Sequence, residues 1–297
     1  MSKEGTIIAG IGGNYDVQLE DGQIRRCKAR GIFRKQKTTP LIGDRVTISD
    51  ENFLERIEPR RNALIRPAAA NIDQVLVVFA VHNPEPHFML LDRFLLEAGR
   101  QNIPVVIIFN KMDLWKESRQ SDVVEAVAAY EKAGYPVYQV STYETDEAVM
   151  QLLREQLQNK ITVLAGPSGV GKSSLINALT GSMQETGELS EKIARGKNTT
   201  RHAKLLPLKT GSGWIADTPG FSSFYMQDWE CEHLADYYPE FAEYLGQCRF
   251  PDCRHRMEPE CAVRAAVEDG SVSKLRYDNY RKIYEEIWEY QKNNPKY

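Results

Sequence analysis

The segment Gly166-Pro-Ser-Gly-Val-Gly-Lys-Ser173 constrains the fold of this chain more than any other. It matches the phosphate-binding loop pattern GxxxxGK[ST], and it lies between an apolar run, Ile161–Ala165, and a helical pattern at 172–179. Glycines let the backbone wrap closely around phosphate, so that amide groups and a helix N-terminus face the anion. Lys172 is predicted to reach the β- and γ-phosphates, and the Ser173 hydroxyl to bind Mg²⁺. A strand–loop–helix unit of an α/β fold is therefore expected here.

The motif Asn110-Lys-Met-Asp113, which follows an apolar run at 104–109, indicates the nucleotide base. A carboxylate at Asp113 can accept both N1–H and N2–H₂ of guanine, a donor pair that adenine lacks. The aliphatic stem of Lys111 can lie along the base, and Asn110 can tie neighbouring loops together. Ser141 and Thr142 end the next predicted strand, where two interpretations stay open: a backbone amide on the guanine oxygen, or a helix cap.

Two further segments are candidates for the switches that sense the γ-phosphate. Asp217-Thr-Pro-Gly220 follows a predicted strand, so Asp217 is expected to hold Mg²⁺ through water and the Gly220 amide to sense the γ-phosphate. In the polar stretch 195–203, Thr199 or Thr200 is expected to complete the Mg²⁺ shell, and Thr200 is preferred. All of these motifs end strands, where open α/β sheets bind ligands, so one pocket is predicted.

The motifs define two sets of predicted site residues. The catalytic set is Lys172, Ser173, Thr200, Asp217 and Gly220. The nucleotide-binding set is Asn110, Lys111, Met112, Asp113, Ser141, Thr142, Gly166, Pro167, Ser168, Gly169, Val170, Gly171, Lys172, Ser173 and Ser174. Because the guanine-reading motifs precede the phosphate loop, whereas ordinary GTPases have the opposite order, the sequence predicts a circularly permuted GTPase domain.

The first 66 residues are predicted to form a small all-β barrel of the OB-fold type. Short alternating segments at 6–8, 15–19 and Arg45–Ile48 are separated by glycine-containing turns. Residues 25–37 include seven lysines and arginines and no acidic residue. Such a patch is typical of a surface that contacts a phosphate backbone, and equally of a solvated strand pair, so both interpretations stay open.

The rest of the chain divides into two more predicted domains. Residues 67–226 alternate apolar runs with helical patterns, which predicts a mostly parallel sheet with helices on both faces. The run QVLVVFAV at 74–81 indicates a strand covered on both faces. Residues 227–297 lack the strand pattern and are rich in Tyr, Glu and Cys, so a mainly α domain is expected there.

Overall composition excludes several other classes of protein. The chain has 297 residues, of which 42% are hydrophobic and 27% charged, so a substantial globular core is expected. No apolar run approaches the roughly 18 residues needed to span a membrane. Residues 1–13 lack the apolar segment of a signal peptide, so a cytoplasmic location is expected. In that reducing compartment the five cysteines favour metal binding or burial over disulfides.

Four candidate metal ligands lie close together in the sequence: Cys248, Cys253, His255 and Cys261. Three thiolates and one imidazole suit tetrahedral Zn²⁺ and leave no position open for catalysis, so one structural Zn²⁺ per chain is predicted. Buried free cysteines are the alternative. Cys231 and His233 are reserve ligands that are more typical of packing, and Cys27 is expected in the barrel.

Further residues of the carboxyl segment have two interpretations each. Four arginines intersperse the cysteines: Arg249, Arg254, Arg256 and Arg264. These arginines could contact RNA phosphates, and they could equally be neutralised by the acidic residues near them. The apolar stripe at helical spacing, Tyr277, Tyr280, Tyr284 and Ile287, is more typical of packing than of a platform for stacking bases.

These motifs resemble a known family, the circularly permuted small ribosomal subunit biogenesis GTPases called RsgA, also YjeQ or YloQ. The resemblance covers essentially the whole chain: a barrel, a permuted domain with NKMD, GPSGVGKS and DTPG, and a cysteine-rich carboxyl segment. It implies an OB-fold that binds 16S rRNA, a zinc module beside the GTPase domain, and a role late in 30S maturation. GTP hydrolysis stimulated by the 30S subunit is implied as well, and a monomer that makes no contact with membranes is expected.

The chain departs from the family's pattern at two positions. The family's first switch commonly reads Arg/Lys-His-Thr-Thr, but Asn198 stands here in place of the histidine and cannot supply the same acid–base function, although His202 is near in sequence. Phe221 stands where Ras-like enzymes have a glutamine that orients the attacking water. An apolar residue at this position fits the family, and it predicts slow GTP turnover until a partner completes the site.

The function favoured by this reasoning is Mg²⁺-dependent hydrolysis of GTP to GDP and phosphate, coupled to binding of RNA or the ribosome. Two alternatives stay open. The chain could be a GTP-gated RNA-binding or assembly factor in which hydrolysis only times release. It could also be an NTPase without a ribosomal role.

Overall fold

The computed structural model describes residues 2–31, 33, 38–65, 68–144, 146–181, 203–209, 212–217 and 229–294. Five strands form the amino-terminal barrel: β1 (Lys3–Ile11), β2 (Asn14–Leu19), β3 (Ile24–Ala29), β4 (Arg45–Ile48) and β5 (Phe53–Ile57). β1, β2 and β3 pair antiparallel, β3 pairs parallel with β5, and antiparallel β5–β4 and β4–β1 pairs close the barrel. Ile7, Val17, Cys27, Val46 and Leu54 are buried in its core. The predicted OB-like barrel is confirmed, with Cys27 inside it.

A mostly parallel sheet follows the barrel. A hairpin of β6 (Ala63–Ile65) and β7 (Ala68–Ala70) leads into it. Its strands are β8 (Gln74–Ala80), β9 (Val105–Asn110), β10 (Val137–Gln139), β11 (Ile161–Ala165), β12 (Ala203–Pro207) and β13 (Trp214–Asp217). They lie in the order β10-β9-β8-β11-β13-β12, and all neighbours are parallel except the antiparallel pair β12–β13. The phosphate-loop strand β11 is therefore central although it comes late in the chain, as the permuted motif order predicts.

Helices cover both faces of this sheet. They are α1 (Phe88–Arg100), α2 (Gln120–Lys132), α3 (Glu147–Leu157) and α4 (Lys172–Thr180). Successive residues of β8 point to opposite faces. Val75 and Val77 belong to the same core cluster as buried residues of α1 and α2, whereas Leu76 and Val78 belong to the cluster that contains α3 and α4. Since both faces are apolar and covered, all seven residues of β8 are buried.

The barrel and the parallel sheet form one continuous sheet, which the sequence did not predict. β12 pairs antiparallel with β1, in the register Ala9↔Lys204 and Gly10↔Ala203. The result is an eleven-stranded sheet in which β12 bridges the two domains. Backbone hydrogen bonds therefore join the strand that follows the first switch candidate to a barrel strand.

The carboxyl segment is mainly helical, as predicted. After two short 3₁₀ helices, Cys231–Tyr237 and Pro239–Phe241, it contains α5 (Ala262–Glu268) and α6 (Lys274–Asn293). The apolar stripe on α6 is buried and packs in the core of this segment, so it does not form a platform on which bases could stack. Its members are Tyr277, Tyr280, Tyr284 and Ile287. No helix in the described ranges combines the length and apolar character that crossing a membrane requires.

A buried group of charges, here called the Arg276 cluster, joins α6 to α1 and α2. Its members are Asp92, Tyr130, Glu240, Arg276 and Asn279. The Arg276 guanidinium donates to Asp92 and to Glu240, with Nε 2.6 Å from Glu240 Oε1. Asp92 also accepts from the Tyr130 hydroxyl and the Asn279 amide, each at 2.8 Å. Burial alone would lower the pKa of Arg276, but the two carboxylates raise it well above its ordinary value. The arginine is therefore charged, and the carboxyl segment is anchored through a fully buried ionic contact.

Candidate functional site

The predicted guanine-reading motif, 110–113, lies where three neighbouring parallel strands end. Asn110 is the last residue of β9 and pairs with Ala80 at the end of β8. Lys111 has a left-handed backbone (φ 64°), so the chain turns sharply there and Asp113 falls in the first turn of a 3₁₀ helix, Met112–Glu117. The hydroxyl of Ser141, which follows β10, donates to Asp113 Oδ1 at 2.5 Å. The structure thus brings Asp113 and Ser141 together although 28 residues separate them.

Ser141 also organises the backbone that follows it. Its hydroxyl oxygen accepts the amides of Tyr143 at 3.2 Å and Glu144 at 2.9 Å, and the residue is buried. The cap of α3 is supplied instead by Asp146, whose carboxylate accepts the amide of Ala148 at 2.9 Å. Of the two interpretations of Ser141 and Thr142, the helix cap is therefore excluded.

The phosphate loop connects β11 to α4 and depends on its glycines. Gly166 has φ 137°, and a Cβ there would lie 2.1 Å from the carbonyl oxygen of Val78 in β8. Gly171 precedes α4 with φ 93°, and a Cβ there would lie 2.3 Å from Asn110 Nδ2. Ser173 is exposed in the first turn of α4. Because only glycine fits both positions, the loop closes tightly and leaves the helix N-terminus open to an anion.

A buried hydrogen bond joins the two motifs. Asn110 Nδ2 donates to the carbonyl oxygen of Val170 at 2.8 Å. Asn110 Oδ1 is also buried and has no partner among the described residues. The predicted guanine-reading turn is therefore fixed directly against the loop at 166–173, and Asn110 joins the two loops as the sequence suggested.

Lys172 lies folded onto its own loop. Its ammonium donates to the carbonyl oxygen of Gly166 at 2.9 Å and to that of Pro167. Desolvation by burial lowers the pKa of Lys172 to about 8. Loop carbonyls only partly compensate the buried charge, so a phosphate group would be a better partner for this ammonium.

Residues 82–87 add a wall that the sequence reasoning missed. The Lys111 ammonium donates to the carbonyl oxygen of Asn83, and a Cβ on Gly169 would lie 3.7 Å from the Pro84 ring. Its place in the sequence could have predicted this, because the segment follows β8 at the same edge of the sheet as the other motifs.

The switch candidates are only partly described. The backbone of Asp217 ends β13, and its neighbour Ala216 pairs with Val163 of β11, so this strand end lies beside the phosphate-loop strand. Other residues discussed for the switches lie outside the described residues: Asn198, Thr199, Thr200, His202, Gly220 and Phe221.

The four candidate metal ligands converge on one point. Their ligand atoms all lie within 4.8 Å of one another. Cys248 Sγ lies 3.9 Å from Cys261 Sγ, and His255 Nδ1 lies 3.5 and 3.4 Å from these two sulfurs. A tetrahedral ion with metal–sulfur bonds of about 2.3 Å requires ligand separations of roughly 3.8 Å between sulfurs, and somewhat less to nitrogen. The cluster therefore fits a structural metal site with all four positions filled by protein.

The surroundings of the cluster suit thiolate ligands. The amide of His255 donates to Cys253 Sγ at 3.4 Å, and that of Ala262 to Cys248 Sγ at 3.3 Å. The Tyr277 hydroxyl donates to the carbonyl oxygen of His255 at 2.8 Å and so supports the turn from α6. Burial raises the pKa of Cys253 to about 12, so a cation is needed to keep such thiols ionised at neutral pH.

The two reserve ligands lie away from this cluster. Cys231 is buried with its thiol 3.0 Å from Gln291 Oε1, and His233 is exposed beside Asp236.

The arginines of this segment are largely occupied within it. Arg249 pairs with Glu260, and Arg256 with Glu285 at 3.2 Å. Arg254 and Arg264 donate to backbone carbonyls. The described contacts therefore favour the balanced interpretation over a surface of free cations.

The basic stretch of the barrel borders an open groove. Arg26, Lys28 and Arg30 are exposed, at alternating positions, in and just after β3. Lys28 and Arg30 line a groove of about 780 Å³ together with the neighbouring β1–β2 turn at Gly12 and Gly13. Arg30 also pairs with Glu55 at 3.3 Å, so its charge is partly balanced, whereas Lys28 adds an exposed cation. A groove with such residues on an OB-like barrel suits a nucleic-acid backbone. Arg25 is half-buried in β3, and the other three basic residues of the stretch, Arg34, Lys35 and Lys37, lie outside the described residues.

Comparisons with known proteins match the whole chain. The family model RsgA GTPase matches residues 57–227, and the model RsgA N-terminal domain matches residues 4–55. A protein of Agathobacter rectalis named Small ribosomal subunit biogenesis GTPase RsgA is 48% identical over 99% of both chains. A protein of the same name from Alkaliphilus metalliredigens is 47% identical over 97% of this chain and 98% of its own.

Solved structures agree with these matches. The crystal structure of YjeQ from Thermotoga maritima superposes on this chain with a TM-score of 0.83, and the sequence identity is 35%. The match covers 97% of this chain and 99% of that one. The structure of YloQ, described as a circularly permuted GTPase, is 39% identical, with a TM-score of 0.81 over 100% of this chain and 98% of that one. The permuted order deduced from the motifs is thus matched by a solved relative.

Proposed function

Because the chain belongs to the RsgA GTPase family, we propose that it hydrolyses GTP to GDP and phosphate during biogenesis of the small (30S) ribosomal subunit. One observation carries the proposal: the buried Asn110–Val170 hydrogen bond, which fixes the guanine-reading turn against the phosphate loop. A base and its phosphates can therefore be held at once by two segments that are distant in sequence.

In this proposal each part of the pocket has a defined role. Asp113, held by Ser141, accepts the two donors of the guanine edge. Lys172 exchanges its contacts with loop carbonyls for the β- and γ-phosphates, and the amides of Gly169–Ser174 surround them. Ser173, Asp217 and Thr200 are the proposed residues around Mg²⁺, which when bound neutralises charge on the phosphate oxygens. Gly220 is the proposed sensor of the γ-phosphate.

The reaction is attack of water on the γ-phosphorus. The bond from that phosphorus to the β–γ bridging oxygen breaks, GDP leaves with the bridging oxygen, and phosphate departs. Positioning and charge stabilisation supply most of the catalysis in such reactions, so the charged Lys172 and the loop amides matter more than a strong base. Phe221 cannot orient water as a glutamine does, so turnover is proposed to be slow until a partner completes the site.

The proposed partners are the small ribosomal subunit and its 16S rRNA. Relatives carry the subunit in their names, and the groove lined by Lys28 and Arg30 supplies an electrostatic surface. The β1–β12 pairing supports coupling, because β12 follows the first switch candidate in sequence and β1 leads into the groove wall at Gly12. This pairing also favours the second candidate function, a GTP-gated binding factor in which hydrolysis times release. A cytoplasmic location follows from this partner.

Zn²⁺ is the proposed metal of the Cys248, Cys253, His255 and Cys261 site. The donor set of three thiols and an imidazole suits zinc, and the separations fit its tetrahedron. We further propose the limits 1–66, 67–226 and 227–297 for the barrel, the GTPase domain and the zinc-binding domain.

The test is co-sedimentation of the purified chain with small and large ribosomal subunits, with GDP and with a non-hydrolysable GTP analogue, together with GTP turnover with and without small subunits. The proposal predicts analogue-dependent binding to the small subunit and stimulated turnover. Binding that is indifferent to nucleotide would contradict the switch, and binding without stimulation would leave the GTP-gated factor as the function. Lack of binding to either subunit in any nucleotide state would contradict the ribosomal role.

A further inference from the structure

The ring of Tyr143 is unusually exposed for its position in the guanine-reading region. The residue is 85% exposed, the highest value among the large apolar and aromatic residues of the described ranges. It follows Ser141, which is buried, and Thr142, which is half-buried. Single exposed apolar residues are common on protein surfaces, so exposure alone does not indicate a role.

A short chain of hydrogen bonds distinguishes Tyr143 from such residues. Its amide donates to the Ser141 hydroxyl at 3.2 Å, and that hydroxyl donates to Asp113 Oδ1 at 2.5 Å. Glu144 donates to the same oxygen at 2.9 Å, which fixes the turn on both sides of the Tyr143 side chain. The tyrosine backbone is therefore held two hydrogen bonds away from the proposed base-reading carboxylate of Asp113, while the residue itself is exposed.

The chemistry of base recognition leaves a role for such a ring. Asp113 contacts the edge of a guanine and does nothing to shield its two faces from water. One face can lie on the aliphatic stem of Lys111, which is fixed by its left-handed backbone and by the contact with Asn83. An aromatic ring on the remaining face would bury apolar area on both partners and add a favourable π contact.

We propose that Tyr143 stacks on the guanine base of bound nucleotide and acts as an affinity-determining residue of the pocket. The inference rests on the proposed function, because it requires guanine to bind at Asp113. Stacking acts on the face of the base and the carboxylate on its edge, so the two contributions are independent. Tyr143 should raise the affinity for nucleotide without changing which base is preferred.

The test compares the wild-type chain with Tyr143→Phe and Tyr143→Ala by measuring dissociation constants for GDP, for IDP, which lacks the 2-amino group, and for pyrophosphate. Tyr290→Ala, which removes an exposed tyrosine from α6, is the control. Tyr143→Ala should lower the affinities for GDP and IDP alike, about five- to a hundredfold, and leave the affinity for pyrophosphate unchanged. Tyr143→Phe and Tyr290→Ala should bind GDP like the wild type. In steady-state turnover, KM for GTP should rise in Tyr143→Ala while kcat at saturation stays the same.

Three results would overturn the inference: GDP affinity of Tyr143→Ala within twofold of wild type, Tyr143→Phe as weak as Tyr143→Ala, or a lost GDP-over-IDP preference. The last would mean that the residue acts through Asp113 rather than by stacking. Failure of the proposed function would be recognised separately, because the wild-type chain would then show no preference for GDP over ADP.

Discussion

Replacing Arg276 with alanine tests how the carboxyl segment is attached. The change leaves the carboxylates of Asp92 and Glu240 buried without their cation, since both side chains are at most 6% exposed. Removing one partner of a buried ion pair costs about 3–5 kcal/mol. The substitution also removes the guanidinium that lies 4.6 Å from the Tyr238 ring. Because the net stability of a domain is about 5–15 kcal/mol, we expect Arg276→Ala to lower the free energy of unfolding by at least 3 kcal/mol.

The assay is urea unfolding of the metal-loaded chain followed by tryptophan fluorescence. Arg281→Ala removes an exposed arginine from the same helix and should change stability by less than about 0.5 kcal/mol. A triple variant that removes every charge of the cluster, Arg276→Met with Asp92→Asn and Glu240→Gln, should recover most of the loss because no charge remains unpaired. A loss of under about 1 kcal/mol in Arg276→Ala, or a triple variant less stable than the single one, would show that this buried ion pair does not anchor the carboxyl segment.

Three further changes probe the two sites. Gly171→Ala should weaken GDP binding at least about tenfold, because the new Cβ would lie 2.3 Å from Asn110 Nδ2, whereas Gly134→Ala, with a similar φ of 87° and no atom within 4 Å, should leave affinity unchanged. Because burial lowers the pKa of Lys172 to about 8 and bound phosphate would raise it, GDP affinity should change little around pH 7 and fall as the pH rises from 8 to 9. Calorimetry in two buffers at pH 8.5 should show uptake of most of one proton, and no uptake would contradict this. Cys253→Ser should abolish the one-to-one metal content that atomic absorption measures, because it removes a ligand of the cluster. Cys231→Ser, outside the cluster, should keep that content. Equal metal content in the two variants would argue against the assigned cluster.

Much of the fold followed from local patterns. The strands β8 and β9 and the strand–loop–helix setting of the motif between β11 and α4 were predicted correctly, because burial on both faces and a glycine-rich loop each leave a signal within a few residues. The phosphate contacts of that loop stay a prediction. The metal cluster was equally accessible, since its ligands lie within fourteen positions.

Contacts between distant segments left no such signal. The pairing of β1 with β12 joins residues almost two hundred positions apart, and strand alternation does not reveal a partner. The Arg276 cluster was missed because an arginine and an aspartate on separate helices look like ordinary surface residues until the tertiary fold buries them. Asn83 was missed because it contributes a backbone carbonyl, which any residue carries.

The preference of the site for its base is the most direct test of a single pocket built from Asp113 and the phosphate loop. Dissociation constants of GDP, ADP and XDP should be measured for the wild-type chain and for Asp113→Asn. If Asp113 reads the base, the wild-type chain should bind GDP at least about a hundredfold more tightly than ADP. Asp113→Asn should bind GDP more weakly and XDP more tightly than the wild type does, because the 2-oxo group of xanthine can accept a hydrogen bond from the asparagine amide. Equal binding of ADP and GDP by the wild type, or an unchanged preference in Asp113→Asn, would contradict the account.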